Sequence, residues 1–202
     1  MRRSRAAWVA VVLAGTALGT ATVAADAAPV TDARSTVRDN TAHSTACAIH
    51  WGSHDKSRVA GTTTPVKDVR TGRHACFDRM VVDVPGASAG RLGYFVRYVD
   101  RLHQDGSGRP IAVGGGAVLE VRIAAPGYRP ETGDATYPGR AGRPLPGVDL
   151  TGYRSFEDAR FAGSFEGETQ IGLGVRTRLP FRVLALDGRV VVDVAHTWDG
   201  AR

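Results

Sequence analysis

FRVLALDGRVVVDV, residues 181–194, joins two apolar runs through Asp187-Gly188. An Asp-Gly pair between two such runs is a strong hairpin signal, because glycine accepts the positive φ that a tight turn requires. The stretch predicts an antiparallel hairpin, and several other parts of the chain show the same strand-forming character.

Further strands are predicted from alternating and β-branched segments. In residues 117–123 every second side chain is apolar, and residues 169–175 alternate in the same way, which is typical of half-buried strands. Residues 76–84 are rich in β-branched side chains. Residues 93–99 have apolar spacing compatible with a helix, but their aromatic and β-branched composition favours a strand.

Prolines and glycines interrupt residues 125–155, so this segment can form neither a central strand nor a helix. It predicts a long Pro/Gly-rich surface loop. No long amphipathic helix or repeat is evident. The fold class expected is therefore all-β, an antiparallel β-sandwich of about seven to eight strands.

The first 27 residues have the pattern of a signal peptide: a cationic start, a short apolar stretch, and small residues that permit cleavage after Ala25 or Ala27. We expect a secreted, extracellular protein with no membrane span after cleavage. Residues 28–46 are small and polar and predict a disordered leader, which leaves residues 47–198 as the folded domain.

Cys47 and Cys76 are the two cysteines of the chain. In an exported protein such a pair indicates a disulfide that fastens the start of the domain to its body, worth on the order of 3–4 kcal/mol. Two free thiols are the alternative.

The formal net charge is +6, carried by arginines scattered along the chain. Nucleic-acid-binding proteins concentrate positive charge on one face and add aromatic side chains for stacking. The sequence therefore argues against nucleic acid as a partner. We expect a monomer without a cofactor.

Residues 86–90 spell G-x-S-x-G around Ser88, the motif of the nucleophile elbow in many esterases. An elbow needs a strand before the serine and a helix after it, whereas the residues after Ser88 favour a second strand. Ser88 is thus interpreted as a turn residue, and no catalytic residue is predicted. A secreted hydrolase using Ser88 with His103 or His196 is the alternative.

His43, Cys47, His50 and His54 have a spacing that zinc or copper ligands could use. Cys47 has Cys76 available as a disulfide partner, however, and no regular element fixes the spacing. No metal site is predicted.

Asp78 shares one face of its predicted strand with apolar residues such as Met80, and a buried carboxylate requires a partner. We predict a structural ion pair with Arg182 or Arg189, with a ligand contact as the alternative. His74, Arg79 and Asp105 lie at or near strand ends and are the candidate ligand-binding residues.

Five segments in order resemble the AMIN-like domain proteins exported by actinobacteria, many of which look like lipoproteins: VRTGRHACFDRMVVDV (69–84), DGSGRP (105–110), GGGAVLEVRI (114–123), FEGETQIGLGV (165–175) and LPFRVLALDGRVVVDVAH (179–196). Cys47 followed by Trp51-Gly52-Ser53 is similar to their N-terminal segment. The resemblance implies a compact β-sandwich related to AMIN modules, which are non-catalytic and localise amidases or secretin components to the cell envelope. This chain departs from the pattern in having no lipobox cysteine.

The function expected is that of an exported, non-catalytic domain associated with the cell wall, where a cell-wall polymer such as peptidoglycan or an envelope protein is its partner. Besides the Ser88 hydrolase, a secreted protein-binding or inhibitor module is an alternative, with residues 125–155 as its presenting element.

Overall fold

The computed structural model describes Cys47 and residues 49–198. The predicted signal peptide and leader lie outside these described residues. Within them, no helix is long and apolar enough to cross a lipid bilayer.

Strands account for nearly all the regular structure of the described chain, together with a single 3₁₀ turn at Ala89–Arg91. The strands are β1 (Lys56–Arg58), β2 (Asp68–Arg73), β3 (Phe77–Asp83), β4 (Tyr94–Val99), β5 (Leu102–His103), β6 (Pro110–Ile111), β7 (Ala117–Ile123), β8 (Phe156–Phe165), β9 (Glu168–Val175), β10 (Phe181–Leu186) and β11 (Arg189–Ala195).

Two antiparallel sheets form the body of the domain. The first has the strand order β1-β4-β7-β9-β8 and the second the order β10-β11-β3-β2, while β5 and β6 pair as a separate short ribbon. The predicted 181–194 hairpin is present as β10 and β11, with Leu186 opposite Arg189 across the two-residue turn. The all-β, sandwich-like prediction is confirmed, and residues 94–99 of the segment 93–99 form strand β4.

The core lies between the inner faces of the two sheets. Side chains with less than 1 % exposure come from both sides of it: Val96, Leu119, Val121, Ile171 and Leu173 from the first sheet, and Met80, Val82, Phe181, Val190 and Val192 from the second. Because side chains alternate along a strand, the residues between these point to the two outer faces. Those outer faces carry ion pairs such as Arg79–Asp193 and Arg97–Glu120.

The loop of residues 125–155 contributes side chains to the core as well as covering the surface. Tyr137 and Leu145 are buried in the core, and Leu145 N–H donates to the Ala159 carbonyl on β8. Arg143 and Phe161 are similarly joined by a backbone hydrogen bond. The loop thus covers the edge of β8, which would otherwise present unpaired backbone groups.

The predicted disulfide is present. Cys47 and Cys76 are bonded with their Cα atoms 5.5 Å apart, and Cys76 immediately precedes β3. The segment that begins at Cys47 is therefore fastened to the start of a central strand of the second sheet.

Candidate functional site

The outer face of the second sheet contains a row of charged residues that crosses three strands. Arg182 on β10 is opposite Asp193 on β11, and Asp193 is opposite Arg79 on β3. The row ends at Gly72 on the edge strand β2. Gly72 is opposite Arg79 and has no side chain that could cover it. Strand pairing therefore brings two guanidinium groups to one carboxylate.

Asp193 is held by both arginines. Arg79 donates to the two carboxylate oxygens from Nε at 2.6 Å and Nη2 at 2.9 Å, and Arg182 donates from Nε at 2.8 Å. The Asp193 side chain is fully buried, whereas the arginine side chains keep 28 % and 35 % exposure. The hydrogen bond to Asp193 raises the pKa of Arg79.

Aromatic rings lie against the two arginines. Phe77 is within 5.5 Å of both guanidinium groups, and the Arg182 guanidinium is 4.4 Å from the Trp51 ring. His74 stacks on Phe77 at 4.5 Å, and Trp51 meets Phe77 edge-on at 5.5 Å. We call these residues the aromatic–arginine patch: Trp51, His74, Phe77, Arg79, Arg182 and Asp193.

Trp51 reaches the patch because its chain segment is fixed on both sides. The disulfide at Cys47 holds one side. On the other, the Gly52 carbonyl accepts from Phe181 N–H, and Arg178 donates to the hydroxyl and carbonyl of Ser53. Gly52 has φ +64°, a conformation that favours glycine, so the turn after Trp51 depends on this residue.

The structure brings together two of the three candidate ligand-binding residues. His74 and Arg79 both belong to the patch. Asp105 does not: it pairs with Arg122 on the outer face of the first sheet, and its backbone N–H donates to Gln170. Trp51, Phe77 and Asp193 were missed by the sequence analysis as binding residues, although a tryptophan four positions after a cysteine was a usable signal.

The partner of Asp78 is different from the one predicted. Asp78 accepts hydrogen bonds from the Arg154 and Ser155 N–H groups and from Ser155 Oγ, and His196 Nε2 lies 3.1 Å from its other oxygen. Arg182 pairs with Asp193 on the outer face instead. The structure therefore corrects the proposed Asp78 ion pair with Arg182 or Arg189, because Asp78 points inward, away from both.

Arg189 lies at the turn end of β11, opposite Asp83 and Leu186. Asp78 lies near the other end of the neighbouring strand, opposite Val194. Burial alone would raise the pKa of Asp78, but the hydrogen bonds from Ser155, His196 and the Arg154 amide together hold that pKa below its ordinary value of 3.8.

Ser88 is in a loop and not at a nucleophile elbow. It precedes the three-residue turn Ala89–Arg91, after which β4 begins. His196 donates its backbone N–H to the Cys76 carbonyl at the opposite end of β3, a strand roughly 20 Å long. His103 is on the β5–β6 ribbon. The His196 imidazole contacts Asp78, and no hydrogen bond joins Ser88 to either imidazole among the described residues.

The described members of the possible metal motif, Cys47, His50 and His54, do not form a metal site. Cys47 is used by the disulfide, and His50 and His54 are exposed, while His43 lies outside the described residues. In the part of the chain that the structure describes, no three potential ligands from His, Cys, Asp and Glu are close enough to hold a metal ion.

The outer face of the first sheet is closed in a different way. Gln170 donates to Glu120 and to the His103 carbonyl and accepts from Asp105 N–H, which fastens the β5–β6 ribbon across the sheet. Arg97 donates to Glu120 at 2.9 Å. These polar groups satisfy one another, so the network is structural.

The aromatic–arginine patch contains groups that can bind a ligand. Aromatic faces offer apolar area with defined geometry, and guanidinium groups donate several hydrogen bonds to an anion at once. The six residues of the patch contain no nucleophile beside a general base, which is the arrangement that covalent catalysis requires.

A family model described as the AMIN-like domain matches residues 64–196. No curated protein and no solved structure gives a significant match. The matched region is more than half of the chain and contains every residue of the patch except Trp51. By this match, the chain belongs to the AMIN-like domain family.

Proposed function

We propose that this protein is an exported, non-catalytic module that attaches to the cell envelope by binding a cell-wall polymer through the aromatic–arginine patch. Family membership suggests an envelope-associated binding module. The observation that carries the proposal is the patch itself, where Trp51, His74 and Phe77 lie beside two partly exposed arginines.

Export is supported by the signal-like residues 1–27 and by the Cys47–Cys76 disulfide, since disulfides persist in oxidising compartments. The non-catalytic role is supported by the family, whose domains are generally binding modules, and by the loop position of Ser88. A serine-reactive fluorophosphonate probe tests the hydrolase alternative. Labelling of the natural protein that is lost in Ser88→Ala would support a hydrolase.

Sedimentation of the purified protein with isolated cell walls tests the proposal. We expect the protein to pellet with the walls at low salt and Phe77→Ala to weaken this binding about tenfold or more, because the central ring of the patch contacts both arginines. A protein that remains in the supernatant, while pull-down from an envelope extract recovers a protein, would favour an envelope protein as the partner.

Phe95→Ala is the matched control. Phe95 lies on β4 with Arg97 two residues later, and the Arg97 guanidinium is 5.0 Å from its ring, much as Arg79 is 5.2 Å from Phe77. Phe95 faces outward from the first sheet, next to Arg122 in the register. Equal losses of binding in Phe77→Ala and Phe95→Ala would contradict the assignment of the site to the patch.

A further inference from the structure

Each guanidinium of the patch uses only part of its hydrogen-bonding capacity on Asp193. Arg79 donates from Nε and Nη2, and Arg182 donates from Nε. Among the described residues, no other acceptor is hydrogen-bonded to either group. A guanidinium has five N–H donors, so no acceptor from the described part of the chain occupies either Nη1 group, and both can meet an incoming acceptor.

The charges of the patch do not cancel. Two guanidinium groups share one carboxylate, which leaves one net positive charge. Asp193 is fully buried beneath the arginines, so the groups that meet the solvent are the cations. The neighbouring Trp51 and Phe77 rings exclude water from one side of the guanidiniums, which strengthens their attraction to an anion.

On the outer face of the first sheet, acids outnumber arginines. Arg122 pairs with two acids, Asp105 and Glu168, and Arg97 pairs with Glu120. The positive excess on the second sheet is therefore a local property of the patch and does not follow from the basic composition of the chain.

We infer that the patch recognises a singly charged oxyanion, carried next to a sugar ring, so that its ligand is an anionic glycopolymer rather than a neutral glycan. The oxyanion meets the free N–H groups of Arg79 and Arg182, and the sugar ring lies on the aromatic surface of Trp51 and His74. This inference rests on the proposed function. A carboxylate of the wall and a phosphodiester of a wall-linked polymer have the same charge and acceptor chemistry, and the experiment separates them.

The test compares cell walls with defined chemical treatments. One portion is left untreated, one has its carboxylates amidated with carbodiimide and ammonium, one has its phosphodiesters removed with cold hydrofluoric acid, and one receives both treatments. We expect pelleting of the protein to fall about tenfold on doubly treated walls, and the single treatment that reproduces this loss identifies the oxyanion.

The two proposals fail in different ways. Equal pelleting with untreated and doubly treated walls overturns the inference and leaves attachment to the wall intact. No pelleting even with untreated walls overturns the proposed function itself.

A charge-matched pair of variants separates recognition from general attraction of a basic protein. Arg182→Gln and Arg97→Gln remove one positive charge each, but only Arg182 is in the patch. We expect Arg182→Gln to bind untreated and doubly treated walls alike, whereas Arg97→Gln keeps the full preference for untreated walls. Thermal unfolding of both variants verifies that each is folded. An Arg182→Gln protein that keeps the wild-type preference overturns the inference.

Discussion

On the outer face of the second sheet one acid, Asp193, lies between Arg79 and Arg182, whereas on the outer face of the first sheet one arginine, Arg122, lies between Asp105 and Glu168. Both faces pair arginines with acids, but Asp105 comes from the loop between β5 and β6 and not from a strand of the sheet. They differ in which charge is in excess and in what covers it.

The first sheet is overlaid by the β5–β6 ribbon, and Gln170, 2 % exposed, bonds to three different partners beneath it. Polar groups that are buried and mutually satisfied stabilise one packing arrangement. On the second sheet the aromatic rings are only partly buried and the guanidiniums keep unused donors. Similar ion pairs thus serve structure on one face and, by our proposal, binding on the other.

The largest expected effect comes from removing the covalent support of the patch. The Cys47→Ala/Cys76→Ala variant should lose on the order of 3–4 kcal/mol of unfolding free energy, since the disulfide restricts the unfolded chain. It should also lose wall binding, because the Trp51 segment is no longer fixed on its Cys47 side. Chemical denaturation measures the first and sedimentation the second.

Reducing agent provides the control for this prediction. It should destabilise the natural protein and have no effect on the double variant. If the unfolding free energy of the double variant is lower by less than about 1 kcal/mol, the hydrogen bonds of Gly52 and Ser53 hold the segment without the disulfide.

The two buried acids of the outer faces should respond unequally to neutralisation. Asp193→Asn should cost about 1.5–3 kcal/mol, since it weakens three hydrogen bonds from two cations and leaves those cations to repel each other. Glu120→Gln should cost about 1 kcal/mol, because its one cationic partner, Arg97, is 41 % exposed and can regain water. Urea denaturation at neutral pH measures both, and equal costs would contradict the distinction between the faces.

Asp78, on the inner side of the second sheet, should make the unfolding free energy depend on pH. Its pKa is lowered in the folded protein, so it contributes stability above its ordinary pKa of 3.8, and that stability is lost as the pH falls from there toward the folded pKa. The unfolding free energy should therefore decline below about pH 4. Denaturation curves between pH 3 and 7 test this.

Asp78→Asn should be less stable at pH 7 and should show a smaller decline in acid. Asp83→Asn is a suitable comparison, because Asp83 is on the same strand but its pairing with Arg70 is more exposed. An unchanged decline in Asp78→Asn would assign the acid sensitivity to other carboxylates.

The smallest expected changes in stability come from replacing two tyrosines, Tyr98 and Tyr137, by phenylalanine. The Tyr98 hydroxyl donates to the Leu179 carbonyl and accepts from the Leu179 N–H, and burial raises the pKa of Tyr98 to about 12. Tyr98 thus links β4 of the first sheet to the chain entering β10 of the second. Tyr98→Phe should cost about 1–2 kcal/mol, because it leaves both backbone groups of Leu179 without this partner.

Tyr137, in the long loop, is the matched control. Its hydroxyl is buried and has no hydrogen-bond partner among the described residues. Removing this hydroxyl breaks no hydrogen bond and removes a buried polar group that has no partner. Tyr137→Phe should therefore be neutral or slightly stabilising. Thermal melts compare the two variants, and a large loss in Tyr137→Phe would contradict the assignment.

The sequence predicted the strands whose alternation is regular, and it did not predict the longest one. Strand β8 spans ten residues, yet five of them are glycine, serine or charged residues, and it has register irregularities at Phe156/Asp158 and Phe161/Gly163. Each irregularity shifts the alternation of inward and outward side chains. A search for period-two patterns therefore cannot detect it.

Sequence alone determined the all-β class, the 181–194 hairpin and the family resemblance, because these depend on local patterns, and the cysteine pairing because the chain has only two cysteines. Only the tertiary structure decided the partners of the charged residues. Arg79 and Asp193 are 114 positions apart and meet because β3 pairs with β11, while Asp78, one residue from Arg79, turns inward to Ser155 and His196. Adjacent residues of a strand face opposite sides of a sheet, and which strands adjoin depends on the packing of the whole core.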